Sequence, residues 1–229
     1  MESKTLFLPV LLSLIVVICG LLPGSDAATK KIKKNTEEKV PETLTVTKKA
    51  WMDIEIDDEP VGRIVIGLFG DIVPATVMNF AALMKGTWKG DSSFSYKGSI
   101  FHRVVKDHVI QGGDITNWDG TGGKSIYGEV FPDENFLLSH KGTGWVSMAN
   151  HGPDTNQSQF FITLQTARFL DKRYVVFGKV LQGLSVVKKI AETEVDAWDR
   201  PKKLVRVLNC GVEIVSPYGY RDSESRAEL

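Results

Sequence analysis

The sequence predicts a mainly β domain, an antiparallel barrel or sandwich, that carries two short helices. From Ile100 onward, short apolar runs are separated by Gly, Asn and Asp every eight to fifteen residues. That spacing is typical of antiparallel strands rather than of repeated strand–helix units. Earlier, the segment from Trp51 to Ile56 alternates apolar and polar residues, as a half-buried strand does. At 229 residues the chain is long enough to bury a substantial core.

Turn and helix signals complete this outline. Asp57-Asp58-Glu59-Pro60 has the composition of a turn, and residues 61–69 read as the returning strand. Pro74 suits the first position of a helix whose apolar residues recur at helical spacing until Gly86 ends it. A second helix is predicted around residues 184–191, and residues 204–215 form a final strand.

The chain is predicted to comprise a signal peptide (residues 1–27), a lysine-rich linker (28–47), one folded domain (48–215) and a polar flexible tail (216–229). The apolar run from Leu6 to Leu22 is slightly shorter than a bilayer span, and small residues near Ala27 suit a signal peptidase. The alternative is an uncleaved anchor, which the lysines beyond the run favour.

We expect no membrane span after signal removal. The expected location is the lumen of the endoplasmic reticulum, with secretion as the alternative. The last four residues, Arg226-Ala227-Glu228-Leu229, share only their final two with the usual luminal retention signal. The sequence therefore leaves retention and secretion open.

Composition limits the partners of the domain. The 28 basic and 28 acidic residues balance, so the net charge does not favour nucleic acid as a partner. Between residues 29 and 49, seven lysines face three glutamates. A solvated linker accounts for this segment, and contact with an acidic partner is the alternative. Signal cleavage would leave Cys210 as a single thiol that fills the core, and the four histidines show no metal-ligand spacing, so no metal is expected.

Two further motifs are weak. Asn156-Gln157-Ser158 is formally an acceptor for N-glycosylation, but it adjoins the apolar run Phe160-Phe161-Ile162, where a glycan would obstruct a folded surface. No Gly-x-Ser-x-Gly elbow is present, so nothing in the sequence supports a hydrolase triad.

Six motifs between residues 99 and 180 set single polar residues into short apolar runs. In order they are Phe101-His102-Arg103, Gln111-Gly112-Gly113-Asp114, the glycine-rich segment 120–128, Ser147-Met148-Ala149-Asn150, Ser158-Gln159-Phe160-Phe161-Ile162 and Val176-Phe177-Gly178-Lys179-Val180. Together they closely resemble the cyclophilins, over roughly residues 48–215. With its N-terminal segment, the chain is most similar to the secretory-pathway members of the B type.

The resemblance implies an eight-stranded antiparallel closed β-barrel capped by two α-helices. It also implies peptidyl-prolyl cis-trans isomerase activity without a cofactor, and we expect a monomer. The barrier to rotation about an X-Pro bond is about 18–20 kcal/mol, because the C–N bond has partial double-bond character. In the twisted state the prolyl nitrogen regains a lone pair, and a donor directed at that nitrogen favours the twisted state over both planar ones.

Arg103 is the candidate catalytic residue, because it is permanently charged and offers several donors in a rigid fork. Outside its motif it would be interpreted as a structural ion-pair residue. By resemblance, three apolar residues would line the proline pocket: Phe161, Val109 and Leu170. Gln111 would bind the substrate carbonyl and hold Arg103, and Asn150 would pair main chain to main chain with the peptide. The other predicted substrate contacts are His108, Ala149, His151, Gln159, Phe169 and Tyr174.

Four of these positions depart from the usual cyclophilin residues. His108 replaces a pocket Phe and Val109 a Met, which gives a smaller and more polar pocket floor. Slower turnover or an altered preference for the residue before proline is therefore expected. Phe169 stands where many members carry Trp, and it lacks the indole N–H donor, so weaker binding of cyclosporin is expected. Tyr174 stands where they carry His.

Two functions follow from these observations. The first is an isomerase that assists the folding of proline-containing client polypeptides in the secretory pathway, with reduced activity if the altered pocket slows turnover. The second is a client-binding chaperone or escort module that uses the same groove with weak or no turnover. The four altered positions motivate the second.

Overall fold

A computed structural model describes residues 41 and 43–221 of the chain. Its elements are β1 (Leu44–Ile56), β2 (Glu59–Leu68), α1 (Pro74–Lys85), β3 (Arg103–Val105), β4 (Val109–Gly112), β5 (Trp145–Met148), β6 (Phe160–Thr163), β7 (Val176–Gln182), α2 (Leu184–Ala191) and β8 (Val205–Tyr220). The predicted signal peptide, most of the linker and the end of the tail lie outside the described residues. Within them, no helix is long and apolar enough to cross a membrane.

The eight strands form one antiparallel sheet in the order β3-β4-β6-β5-β7-β2-β1-β8. Its two end strands, β3 and β8, do not pair as a ladder. Instead, the residues before β3 reach β8 through an isolated bridge between Ile100 and Arg206. Hydrogen bonds flank the bridge, from Phe101 N–H to the Val205 carbonyl and from Val207 N–H to the Ser99 carbonyl, both 2.9 Å. The ends of the predicted barrel are therefore joined by a bridge instead of a strand ladder.

The hairpin between β1 and β2 follows the predicted turn. Ile56 pairs with Glu59, and the two residues between them have positive φ, 51° at Asp57 and 65° at Asp58. Positive φ at both central positions is the geometry of a type I′ turn, whose twist matches that of the flanking strands.

Strands β1 and β8 extend past the domain boundaries expected at 48 and 215. Leu44, Thr45 and Val46 pair with Tyr220, Gly219 and Tyr218. Leu44 and Val46 are buried in a small second core cluster around Phe69 and Trp145. The alternation of these apolar residues is a strand pattern, which the lysine-rich composition of the neighbouring segment masked.

Both predicted helices are confirmed. Pro74 is the first residue of α1, and Gly86 ends the helix in the left-handed conformation with φ 79°. α1 packs on β1 and β8, and α2 packs on β2, β3 and β4. The apolar faces of both helices join one large core with the inner face of the sheet.

The strands that carry the candidate site have two distinct faces. Val104, Ile110, Ile162 and Val146 pair across β3, β4, β6 and β5 and are buried in the large core. Since successive side chains of a strand point to opposite faces, the residues between them lie on the other face of the sheet. That face carries the candidate site.

Candidate active site

A row of four residues crosses this second face. Arg103 of β3 pairs with Gln111 of β4, Gln111 pairs with Phe161 of β6, and Phe161 pairs with Ser147 of β5. Directly opposite residues of adjacent strands have neighbouring side chains. The register therefore places a cation, an amide and an aromatic ring side by side.

The apolar part of the site is a cluster separate from both cores. Val109, Phe161 and Leu170, the three residues predicted to line a proline pocket, are buried in it together with Ala167. Val105, Ala149 and Tyr174 pack around its edge. Phe161 and Leu170 come from β6 and from the 3-10 helix Arg168–Leu170, so the cluster forms only when that helix folds back onto the sheet.

Arg103 is held differently from the expectation. Its Nη2 donates to Asp199 Oδ2 at 3.2 Å, and both side chains are less than half exposed, 44% and 40%. Gln111, expected to hold Arg103, donates instead to Gln159 Oε1 at 3.0 Å. Among the described residues no hydrogen bond joins Gln111 to Arg103. Asp199 was not predicted, because it lies 96 residues from Arg103 in the chain and no local pattern connects the two.

Gln159 links the amide of Gln111 to the glycine-rich segment. Its buried side chain donates to the Gly120 carbonyl at 2.9 Å and to the Gly122 carbonyl at 2.7 Å. The position of Gln111 in the row therefore depends on the conformation of that segment.

Asp114 sets the conformation of the glycine-rich segment. Its two carboxylate oxygens accept four backbone N–H groups, those of Thr116, Asn117, Gly120 and Gly122. Burial alone would raise the pKa of Asp114, but these four donors stabilise the charged form and lower the pKa to about 2. Asp114 lies six residues before the first glycine of this segment, and that proximity is the one sequence signal that could have identified its role.

Asn150 uses its side chain to shape its own loop. Nδ2 donates to the Arg173 carbonyl at 2.9 Å, and Oδ1 accepts the Gly152 N–H at 3.2 Å. The main-chain N–H and C=O of Asn150 form no hydrogen bond with the described residues, so both remain available to a peptide. His151, also predicted to contact substrate, follows Asn150 and is exposed.

The positions that depart from the cyclophilin pattern lie around this cluster. Tyr174 meets Phe161 edge to face, with ring centroids 5.4 Å apart. Phe169 is 61% exposed, and its ring lies 5.1 Å from the ring of His108. Burial and the nearby charge of Arg103 lower the pKa of His108, so its imidazole is neutral at neutral pH. These rings form an aromatic rim without an indole.

A chain of hydrogen bonds beneath Phe161 was not predicted. The His140 ring stacks on Phe161 with centroids 5.7 Å apart. Its Nδ1 lies 2.7 Å from Asp171 Oδ1, and its Nε2 lies 2.8 Å from Ser147 Oγ. Burial lowers the pKa of His140, so the neutral ring donates from Nδ1 to the carboxylate and accepts from Ser147. Ser147 is fully buried, which prevents its hydroxyl from reaching a substrate. The chain supports the pocket from below.

Two other residues singled out in the sequence, Asn156 and Cys210, are fully and partly buried, respectively. Asn156 is fully buried, and its Nδ2 donates to Asp133 Oδ1 at 2.8 Å, so the folded domain cannot present it to a glycosylating enzyme. Cys210 is half-buried, and burial raises the pKa of its thiol to about 11. Within the described residues no group of three or more His, Cys, Asp and Glu side chains could hold a metal ion.

Comparison with known proteins identifies the family. Residues 51–212 match the family described as cyclophilin type peptidyl-prolyl cis-trans isomerase/CLD. Peptidyl-prolyl cis-trans isomerase B of Saccharomyces cerevisiae is 50% identical over 167 residues, which cover 72% of this chain and 80% of that protein. Peptidyl-prolyl cis-trans isomerase CYP21-1 of Arabidopsis thaliana is 42% identical over 215 residues, 92% of each chain. The rhodopsin-specific isozyme of Calliphora vicina is 44% identical over 178 residues, 78% of this chain and 75% of the relative.

The family is known to bind proline-containing substrates and cyclosporin, and its fold is the one observed here, an antiparallel eight-stranded sheet with two helices. The chain therefore belongs to the cyclophilins and is a peptidyl-prolyl cis-trans isomerase.

Proposed function

We propose that this isomerase acts on proline-containing clients in the secretory pathway, with Arg103 as the catalytic residue and the Val109, Phe161 and Leu170 cluster as the proline pocket. The observation that carries the proposal is the row from Arg103 through Gln111 to Phe161, which sets a charged donor beside an apolar slot. The apolar run at residues 6–22 supports the location.

The geometry supports a division of labour within the site. The pyrrolidine ring packs on Phe161, and the chain before it pairs with the free main-chain groups of Asn150. One Nη2 hydrogen bond of Arg103 goes to Asp199, which orients the guanidinium and leaves its other N–H groups for the substrate. A donor to the prolyl nitrogen acts only on the twisted state, so it lowers the barrier without tightening the planar ground states.

The escort function is the second candidate, because two positions that depart from the cyclophilin pattern, His108 and Phe169, form a rim that could bind a client even if turnover is slow. One relative carries a name that specifies a single client protein, rhodopsin. Specificity for one client requires a groove that binds that client, but it does not by itself require fast isomerisation.

One experiment tests the location and separates the two candidates. The full-length protein is expressed in secretory cells, its N-terminus is sequenced, and maturation of a secreted client limited by proline isomerisation is followed with wild type, Arg103→Ala and Phe161→Ala. We expect residues 1–27 to be absent and both variants to lose client rescue. Rescue that survives Arg103→Ala but is lost with Phe161→Ala would instead favour the escort. Recovery of the protein outside the secretory compartments would contradict the location.

We also expect cyclosporin to bind this protein more weakly than it binds members with Trp at position 169. Phe169→Trp adds an N–H donor at an exposed rim position, and a neutral hydrogen bond contributes about 0.5–1.5 kcal/mol. The variant should therefore bind cyclosporin about two- to tenfold more tightly, as measured by calorimetry. Phe169→Leu, which supplies no donor, is the control and should not tighten binding. Equal affinity of wild type and Phe169→Trp would remove the basis of this expectation.

A further inference from the structure

A cavity of about 500 Å³ opens beside Arg103, and none of its lining residues belongs to the apolar cluster. It shares Arg103 and Gln111 with the row described above, and its floor includes His102. The far wall is formed by residues of two loops: Asp119, Gly120, Asp196, Trp198 and Arg200. A peptide that passes over Arg103 would extend into this cavity.

The far wall is held in place by hydrogen bonds. Asp196 Oδ1 accepts the N–H groups of Trp198 at 2.8 Å and Arg200 at 3.0 Å. Val104 N–H donates to the Asp199 carbonyl at 2.8 Å, which ties this turn to β3. Arg200 Nη2 donates to the Asp119 carbonyl at 3.2 Å and joins the two loops. The wall is therefore preformed, and a ligand would not have to order it.

Trp198 is the most exposed tryptophan on the described surface, at 77%. Its own N–H and that of Asp199 both donate to Asp196, so its indole is presented to solvent on a backbone held by hydrogen bonds. Rigid, exposed tryptophans beside a cleft are frequent anchors of protein recognition. The face of an indole also attracts a cation.

Two carboxylates of the lining, Asp119 and Asp196, offer acceptors to a cation. Hydrogen bonds from the Thr121 hydroxyl and N–H lower the pKa of Asp119, and the Arg200 N–H lowers that of Asp196, so both are ionised at neutral pH. Their Oδ1 atoms accept these bonds, whereas their Oδ2 atoms accept none from the described residues. The lining also carries two guanidiniums. Arg103 is paired with Asp199, and Arg200, which donates to the Asp119 carbonyl, lies close enough to both carboxylates to lower their pKa values.

His102 adds a buried imidazole ring to the lining of the cavity. It is 6% exposed, it lines the cavity, and its Nδ1 has no hydrogen-bond partner among the described residues. Burial lowers its pKa, so the ring is neutral and one of its nitrogens is an acceptor.

We propose that this cavity is a subsite for a lysine or arginine side chain that flanks the isomerised proline of a client. The ammonium or guanidinium would meet the free carboxylate oxygens of Asp119 and Asp196 and the indole face of Trp198. This inference rests on the proposed site, in which the peptide passes over Arg103. It adds a preference for a basic residue on one side of the proline.

The test uses peptides with a central proline and alanine elsewhere, in which Lys, norleucine or Glu is placed in turn at each of the three positions before and after the proline. The ratio of kcat/KM for Lys to that for norleucine is expected to be about three- to tenfold at positions on one side only. The ratio should decrease at high salt, and Glu should be the poorest substrate at the same positions.

Three variants assign the preference to the cavity. In Trp198→Ala and in Asp196→Asn the Lys-to-norleucine ratio should fall below about twofold, whereas Trp198→Phe should retain part of it. Asp71→Asn removes the same charge from an exposed carboxylate beside α1 and should retain both the ratio and the basal activity. Thermal unfolding of each variant checks the fold.

Two kinds of outcome would contradict the proposal, and they can be distinguished. The subsite alone would be overturned if isomerisation depends on Arg103 but the wild-type enzyme shows no preference for Lys. It would also be overturned if the Lys preference is unchanged in Trp198→Ala. If Arg103→Ala isomerises every peptide at the wild-type rate, the proposed active site, on which the subsite rests, would be overturned.

Discussion

Arg103→Ala is expected to lower kcat/KM for X-Pro isomerisation by about ten- to a hundredfold. A charge-assisted hydrogen bond contributes about 1.5–3 kcal/mol, and about 1.4 kcal/mol corresponds to a tenfold change in rate. Arg103 lies in register beside Gln111 and Phe161, so its loss removes the donor without opening the apolar cluster. The rate is measured by NMR exchange on a proline peptide, with thermal unfolding as the check on folding.

Two further variants make the Arg103 experiment specific. Arg103→Lys keeps the charge but replaces the planar fork with a point charge, so an intermediate loss is expected. Asp199→Asn removes the orienting partner. Because both side chains of this ion pair are exposed to solvent, we expect at most about a fivefold loss, equivalent to about 1 kcal/mol. A folded Arg103→Ala protein with the wild-type rate would refute the catalytic role.

Asp114→Ala is expected to destabilise the protein by about 3–5 kcal/mol, because it removes several hydrogen bonds to a charged group, each of which contributes about 1.5–3 kcal/mol. The substitution leaves the N–H groups of Thr116, Asn117, Gly120 and Gly122 without their acceptor. The carbonyls that hold Gln159 belong to the same segment, so kcat/KM should fall with stability. Urea unfolding measures the effect, and Asp71→Ala at an exposed carboxylate is the control.

The pH dependence of stability tests the contribution of the ionised Asp114 carboxylate independently. Its pKa is about 2 in the folded protein, below the ordinary value of 3.8. The unfolded chain therefore takes up its proton first as the pH falls, and the contribution of Asp114, fully present above 3.8, is lost as the pH falls from 3.8 to about 2. Asp114→Asn should lose less stability than Asp114→Ala at neutral pH and should lack this acid step. An unchanged step in Asp114→Asn would contradict the assignment.

Much of the fold could be derived from the sequence, because each strand carries its own periodicity. The alternation in residues 51–56 and the helical spacing after Pro74 are local patterns, and both elements appear where they were expected. The same alternation placed Val109 with Gln111, and Gln159 with Phe161, on shared faces. The β1 extension is hard to recognise because Leu44 and Val46 lie within a lysine-rich segment, and the β8 extension because residues 216–220 include Ser, Pro and Gly, which are typical of loops.

The sequence alone thus determined the strands, the faces of those strands and the residues of the family motifs. This was possible because strand alternation and motifs both depend on residues that are close together in the chain. Only the folded sheet decided that Asp199 orients Arg103, that His140 supports Phe161, and that Trp198 and Asp119 form the walls of one cavity. These contacts join loops that are far apart in the chain. Their partners are set by strand order and register, which depend on the sum of many long-range pairings rather than on any local pattern.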